Sequence, residues 1–226
     1  MTLDERTVAR LGQIDRPAGP LFICDVDEVV LEFVDPFHAF LRSHGLSLAT
    51  SSFRLHGNIR DADGREVEAE RIDRLIDLFF DTQADWQPLV AGAKDGLELL
   101  SKHGTIFLLT AMRHGHFEAR ETHLAALGIH YPLVTTEGSK GAAIAHLGHE
   151  DETVFVDDLP SNHFDVLSHS PETTAIHFMA NRAFADALPE LPSSTRRADT
   201  WDDVVRIALE AVDRDADDLV GASKTT

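Results

Sequence analysis

Two aspartates separated by one residue, Asp25 and Asp27, directly follow a short apolar run, Leu21 to Cys24. The run comes after a breaker segment with two prolines and a glycine, 16–20, so it fits a short strand covered on both faces, as in a parallel sheet. Two close carboxylates at the end of such a strand are costly to desolvate unless a metal ion or hydrogen-bond donors compensate them. A solvated acidic turn would give the same local pattern, so the pair must be weighed with the rest of the chain.

Polar residues also end two further apolar runs. Thr110 closes the run 105–109, and Asp157 with Asp158 closes the run 153–156. Lys140 opens the helix that is predicted just before the second of these runs. The loops beyond the carboxyl ends of parallel strands are where ligands bind in open α/β sheets. We therefore expect these side chains to converge on one edge of the sheet.

Such a set of side chains has the parts that phosphoryl transfer needs. A carboxylate can attack phosphorus and form an acyl phosphate, which splits hydrolysis into two steps. A second carboxyl group can protonate the leaving oxygen and then take a proton from the attacking water. Carboxylate oxygens suit Mg²⁺, and a hydroxyl with an ammonium group can hold the remaining phosphoryl oxygens.

The elements that would position these residues alternate between helix and strand. Helices are predicted over 92–102, 114–127, 140–147, 161–168 and 201–212, and strands over 21–24, 105–109, 131–134, 153–156 and 174–178. This alternation predicts an α/β fold with a doubly wound parallel sheet. The region from 35 to 87 differs, because two helical patterns flank short extended pieces and an Asp-Gly turn. We therefore predict a core of 1–34 and 88–213, a small insert over 35–87, and a loose acidic tail over 214–226.

Composition limits the classes of partner. The chain has 226 residues and a formal net charge of -19, which argues against nucleic acid or an anionic membrane as a partner. The single cysteine, Cys24, lies in an apolar run and excludes an intrachain disulfide. The sequence shows neither a secretory signal nor an apolar stretch long enough to span a membrane. We therefore expect a cytoplasmic protein.

Four segments of the chain resemble, in order, the four motifs of the haloacid dehalogenase-like (HAD) superfamily. The matching segments are Phe22 to Val29, Phe107 to Thr110, Lys140, and Val154 to Asp158 with Asn162. The segment Pro88 to Ala93 also resembles the one by which such proteins return from the cap to the core. A lone Asp-x-Asp pair would be a weak signal, but four motifs at suitable spacings are specific. The resemblance covers residues from about 20 to 180 and implies a HAD-like Rossmannoid core with a small cap inserted after the first core strand.

The resemblance also implies a role for each matched residue. Asp25 would be the nucleophile and a metal ligand, and Asp27 would be the general acid/base, with its backbone carbonyl also on the metal. Thr110 and Lys140 would bind the phosphoryl group.

The metal ligand from the fourth motif is a choice between two aspartates. We favour Asp158, because its spacing to Asn162 matches the family pattern of an aspartate followed four residues later by Asp or Asn. Asp157 is the alternative, and both could act through water.

The activity implied is that of a Mg²⁺-dependent phosphohydrolase, which acts on a small phosphorylated metabolite through an aspartyl-phosphate. The presence of Asp27 favours a phosphatase or phosphomutase, because dehalogenase members lack the second aspartate. Further candidates for substrate contacts are Ala111 and Arg113, after the second motif, and Arg54 in the insert, where scattered arginines are more often surface charges.

Two alternatives to hydrolysis stay open. One keeps the fold and makes the protein a phosphomutase, or a protein that binds a phosphorylated ligand with little turnover. The other is a receiver-like signalling module that accepts phosphate on an aspartate. Receivers are shorter, however, and have no cap insertion, and their phosphorylated aspartate does not lie in an Asp-x-Asp pair on the first core strand.

Overall fold

The computed structural model describes residues 3–15, 19–48, 55–185 and 188–222. Within these ranges, six parallel strands form the central sheet in the order β5-β4-β1-β6-β7-β8, and two short strands, β2 and β3, form a separate antiparallel pair. The strands are β1 (Leu21–Cys24), β2 (Ser47–Leu48), β3 (Ile59–Arg60), β4 (Thr105–Thr110), β5 (Leu133–Thr135), β6 (Thr153–Asp157), β7 (Thr174–His177) and β8 (Arg196–Arg197). The predicted α/β fold with a parallel sheet is confirmed.

Helices cover both faces of the sheet. They are α1 (Glu5–Leu11), α2 (Val34–Ser43), α3 (Ala69–Asp81), α4 (Ala93–Leu100), α5 (Phe117–Ala126), α6 (Lys140–Leu147), α7 (Pro160–His169), α8 (Arg182–Ala185) and α9 (Trp201–Ala222). Alternate residues of β1 serve opposite faces: Phe22 and Cys24 pack in the cluster with α4, α5 and α9, whereas Leu21 and Ile23 pack with α1, α6 and α7. Burial on both sides explains why β1 reads as an unbroken apolar run.

The segment between β1 and β4 has a hydrophobic cluster of its own. Its aromatic side chains contact one another in pairs: Phe33 stacks on Phe37 with ring centroids 5.3 Å apart, and Phe37 meets Phe79 edge to face at 5.1 Å. Helices α2 and α3 supply most of the cluster, and Ile59 of β3 joins it. A separate cluster is what a cap inserted into the core would need, although the boundaries at 35 and 87 stay a prediction.

Some elements differ from those predicted. Strand β8 was not predicted, because its two arginines give no apolar run. Helix α9 continues to Ala222, past residue 213, and no proline interrupts it. The first of the short extended pieces predicted within 35–87 falls over 52–56, and residues 52–54 of it lie outside the described ranges. Among the described helices, none has the length and apolarity needed to cross a bilayer.

The close approach of α6 to α7 holds Lys140 at the sheet edge. Ser139 caps α6 by accepting a hydrogen bond from the backbone N–H of Ala142, and Asp165 of α7 accepts from the backbone N–H of Gly141 at 2.8 Å. A Cβ atom on Gly141 would lie 2.4 Å from the backbone oxygen of Asp165, so only glycine fits between these helices.

We expect Gly141→Ala to lower the free energy of unfolding by about 1–3 kcal/mol, because overpacking forces the two helices apart. Urea unfolding of the variant beside the wild type measures the loss. Gly138→Ala is the matched control, since its Cβ would lie 3.8 Å from the Thr136 hydroxyl, its nearest neighbour. Equal stability of the Gly141→Ala variant and the wild type would contradict this account of the packing.

Candidate active site

The predicted site residues meet at the carboxyl edge of the sheet. Asp25, Asp27, Thr110, Ala111 and Asp158 line one cavity of about 340 Å³. They come from three parts of that edge: Asp25 and Asp27 from the turn after β1, Thr110 and Ala111 from the end of β4, and Asp158 from the turn after β6. Convergence of residues so far apart in sequence follows from the parallel sheet, whose central strand β1 lies between β4 and β6.

Asp25 is held in place by the sheet and by Lys140. Its backbone N–H donates to the carbonyl of Val156 at 2.9 Å, which extends the β1–β6 pairing by one residue. The side chain is only 6% exposed, and its Oδ1 lies 2.8 Å from Nζ of Lys140. Burial raises the pKa of Asp25 to about 7, although Lys140 acts in the opposite direction. The carboxylate is therefore fixed in position and poorly solvated.

Lys140 lies behind the cavity, between two carboxylates. Its Nζ contacts Oδ2 of Asp157 at 2.7 Å as well as Oδ1 of Asp25. Burial alone would lower the pKa of Lys140, but Asp157 and Asp25 outweigh it and keep the pKa above the usual value. The ammonium group therefore stays charged and faces the carboxylate at the end of β1.

The two aspartates after β6 have different surroundings. Asp157 is fully buried, and it accepts hydrogen bonds from the backbone N–H of Leu159 at 2.8 Å and from the Asn162 amide at 2.9 Å, in addition to its contact with Lys140. Asp158 lines the cavity, and its carboxylate accepts no hydrogen bond from any residue that the structure describes. This contrast leaves Asp158 with more capacity for a ligand than Asp157.

The carboxylates of Asp25, Asp157 and Asp158 form a cluster in which one oxygen from each lies within 4.8 Å of the others. Burial and the neighbouring Asp157 and Asp25 raise the pKa of Asp158 well above its ordinary value. Among the described residues, Lys140 is the only cation in contact with this cluster. When all three groups are ionised, one ammonium does not balance their charge, and a hard divalent cation such as Mg²⁺ fits a site of this composition.

Asp27 is positioned by two residues that we did not predict. The Gln87 side-chain amide donates to its Oδ1 at 2.9 Å, and Nη2 of Arg120 donates to the same oxygen at 3.0 Å. Arg120 is completely buried and packs 5.4 Å from the ring centroid of Phe80. A signal was present in the sequence, because Arg120 falls at helical spacing between Phe117 and Leu124 on the apolar face of α5.

Glu28 also has a role that we did not predict. Its backbone has φ of 61°, the left-handed region, which is costly for a residue with a side chain. Its buried carboxylate accepts hydrogen bonds from the backbone N–H groups of Val34 at 2.6 Å and Asn181 at 2.7 Å. Glu28 thus ties the turn after β1 to the start of α2 and to the segment after β7.

The three residues predicted to contact the substrate differ in where the structure places them. Ala111 lines the cavity. Arg113 does not appear among its described lining residues, because its guanidinium pairs with Asp77 of α3 at 2.6 Å. That pair links the loop after β4 to the insert. Arg54 lies outside the described residues.

Solved structures of known proteins have the same fold. The protein YfnB from Bacillus subtilis, described as a HAD hydrolase and bound to magnesium, matches with a TM-score of 0.59 at 11% identity, over 85% of this chain and 100% of YfnB. A protein from Haemophilus somnus described as a phosphoglycolate phosphatase gives 0.55 at 15% identity, over 83% and 96%. One from Thermotoga maritima described as a β-phosphoglucomutase gives 0.53 at 14%, over 84% and 99%.

These likenesses concern the fold, because all three identities are low. No protein-family model matches the sequence, and no curated protein sequence matches it. The neighbours nevertheless match over most of both chains, and the order of strands places the four motif segments at one edge of the sheet. The chain therefore has the fold of the haloacid dehalogenase-like hydrolases, as its motifs predicted.

Proposed function

We propose that the protein is a Mg²⁺-dependent phosphohydrolase that removes phosphate from a small phosphorylated molecule through an aspartyl-phosphate. The observation that carries the proposal is the convergence of Asp25, Asp27, Thr110 and Asp158 on one cavity, with Lys140 in contact with Asp25 from behind. Structural neighbours described as a phosphatase and a phosphomutase agree with phosphoryl chemistry.

The proposed reaction has two steps. In the first, a carboxylate oxygen of Asp25 attacks phosphorus, and the bond from phosphorus to the ester oxygen breaks while Asp27 gives that oxygen a proton. In the second, Asp27 takes a proton from a water molecule, which attacks phosphorus and releases inorganic phosphate and the Asp25 carboxylate. Lys140 and the Thr110 hydroxyl hold phosphoryl oxygens in both steps.

The proposed metal site consists of Asp25, Asp158 and the backbone carbonyl of Asp27. When bound, Mg²⁺ would neutralise negative charge on the transferring group. We propose Asp158 rather than Asp157 as the direct ligand, because Asp157 already accepts hydrogen bonds from Lys140, Leu159 and Asn162. Asp157 would then hold Lys140 in place.

The test is hydrolysis of acetyl phosphate and p-nitrophenyl phosphate, with Mg²⁺ and with a chelator. We expect turnover only with Mg²⁺. We expect Asp158→Asn to raise the Mg²⁺ concentration that gives the half-maximal rate by about 100-fold or more. Loss of a residue that only supports a metal ligand already lowers metal affinity by about 10- to 100-fold. Mg²⁺ should also raise the melting temperature of the wild type more than that of the variant.

The control for this test is Asp202→Asn, an exposed aspartate in the first turn of α9, which should behave as the wild type. Turnover that survives the chelator would contradict the metal dependence. A stable phosphoprotein without release of phosphate would instead favour the receiver-like reading.

A phosphomutase is the second candidate, favoured by the likeness to the protein described as a β-phosphoglucomutase. A phosphomutase would transfer phosphate between two hydroxyl groups of one sugar, without release of inorganic phosphate. Product analysis with hexose phosphates separates the two activities.

A further inference from the structure

The cavity at the sheet edge has two unlike halves. Its polar lining residues, among those described, are Asp25, Asp27, Glu28, Thr110, Asp158 and Asn162, which lie on the turns and elements at the carboxyl edge of the sheet. The other eleven described lining residues are apolar. A ligand bound here would therefore have one end among carboxylates and the rest of its surface against hydrocarbon.

Apolar side chains reach the cavity from two directions. Phe33 and Phe37 at the start of α2, with Ile76 and Phe80 of α3, form one wall. Phe33 and Phe80 stack with ring centroids 6.1 Å apart, so this wall is continuous.

The second apolar wall comes from the segment after β7 and adjoins the first, since Phe33 packs against it. Met179 and Phe184 line the cavity there, and both are almost fully buried, in one cluster with Val34. Glu28 fixes this segment to the turn after β1 through the backbone N–H of Asn181. The second wall is thus built into the core rather than into the insert.

The charges of the lining residues also limit which ligands the cavity can bind. Among the described lining residues there is no lysine or arginine, so this part of the lining offers no cationic partner to a second anionic group on a ligand. Arg113, which could have supplied one, is paired with Asp77. Hydroxyl groups facing the two apolar walls would lose their water without gaining hydrogen bonds.

Resting on the proposed function, we infer that the substrates are phosphate monoesters of small apolar alcohols, alkyl or aryl, rather than sugar phosphates or phosphorylated carboxylic acids. The phosphate lies at the carboxylate end with the bound cation, and the apolar group fills the space between the two walls. A cavity of about 340 Å³ has room for roughly ten non-hydrogen atoms, at about 30 Å³ for each water-sized group.

The experiment compares phosphate esters whose ester oxygens are chemically alike. We expect kcat/KM to rise about fourfold for each methylene added from ethyl to hexyl phosphate. This ratio corresponds to the free energy of transferring one methylene group from water to an apolar site. Glycerol 1-phosphate should be a poorer substrate than propyl phosphate, and 2-phosphoglycolate poorer than ethyl phosphate. Calorimetry with ethylphosphonate and hexylphosphonate, which cannot be hydrolysed, measures the same preference without turnover.

Ile76→Asn should flatten the ethyl-to-hexyl series, because it places an amide in the apolar wall. Leu78→Asn is the matched control: Leu78 is on the same helix, 42% exposed, and absent from the described lining residues, so the series should keep its slope.

The outcomes separate the two proposals. Turnover that is flat along the series, or highest for glycerol 1-phosphate or 2-phosphoglycolate, overturns the inference about substrate class and leaves the hydrolase proposal standing. Failure to hydrolyse any phosphate, with hexylphosphonate bound more tightly than ethylphosphonate, overturns the hydrolase proposal and supports the ligand class. Failure of hydrolysis with equal binding of the two phosphonates overturns both.

Discussion

Replacing Asp25 by asparagine is expected to lower the rate of phosphate-ester hydrolysis by roughly 10⁴- to 10⁶-fold, the range seen when an enzyme loses its nucleophile. Asparagine has nearly the same shape, and its carbonyl oxygen can still face the Lys140 ammonium, which lies 2.8 Å from Oδ1 in the wild type. An amide does not attack phosphorus as a carboxylate does. The fold should therefore survive while the chemistry is lost, and steady-state kinetics beside near-UV circular dichroism measure both.

Asp95→Asn is the matched control for this prediction, because Asp95 is an exposed aspartate of α4 that is absent from the described lining residues of the cavity. It should change neither the rate nor the spectrum. If folded Asp25→Asn protein retained more than about a tenth of the wild-type rate, Asp25 would not be the nucleophile. Loss of rate in the Asp95→Asn control would show instead that the assay reports a general loss of folded protein.

The sheet and its functional edge could be predicted because both depend on local patterns. Four apolar residues that end at Asp25 specify a strand buried on both faces, and Thr110 and Asp158 follow strands of the same kind. Once the sheet is parallel, its topology places these ends together without any knowledge of the loops. The interpretation of three strand ends and Lys140 as one site thus needed only periodicity and motif spacing.

The residues that position Asp27 and the turn after β1 could not be derived in this way. Arg120 acts from a helix 93 residues away from Asp27, and only the approach of α5 to the sheet edge gives it that partner. Glu28 binds backbone N–H groups, one of them 153 residues away at Asn181, and such partners have no side-chain signature. The sequence could at most have marked both as charged residues on otherwise apolar faces.

The apolar walls of the cavity could not be predicted from the sequence for a related reason. Ile76 and Phe184 belong to separate segments, and each is typical of a residue that packs in a core. Both line one cavity only because the insert and the segment after β7 each approach the sheet edge. The sequence instead drew attention to two arginines, Arg54 in the insert and Arg113 in the loop after β4, and Arg113 is already paired with Asp77.

Replacing Lys140 by methionine is expected to lower the free energy of unfolding by about 3–5 kcal/mol, the usual result of removing one partner from a buried ion pair. Lys140 is 2% exposed and contacts both Asp25 and Asp157, so its loss leaves two buried carboxylates without their cation. The same change removes the ammonium proposed to hold a phosphoryl oxygen, and activity of the remaining folded protein should fall by roughly 10²- to 10³-fold. Urea unfolding and kinetics on the same preparation measure the two losses.

A double-mutant cycle shows whether the loss of stability comes from the buried charge. Combining Lys140→Met with Asp157→Asn removes one of the two stranded charges, and Asn162 and the Leu159 N–H remain as partners for the new amide. The double variant should be more stable than the sum of the single losses implies, by about 0.5–3 kcal/mol, as expected for residues in contact. Lys102→Met, at an exposed position after α4, should stay within about 0.5 kcal/mol of the wild type. Additive losses in the cycle would mean that Lys140 stabilises the edge by packing alone, and the electrostatic account of the site would have to be abandoned.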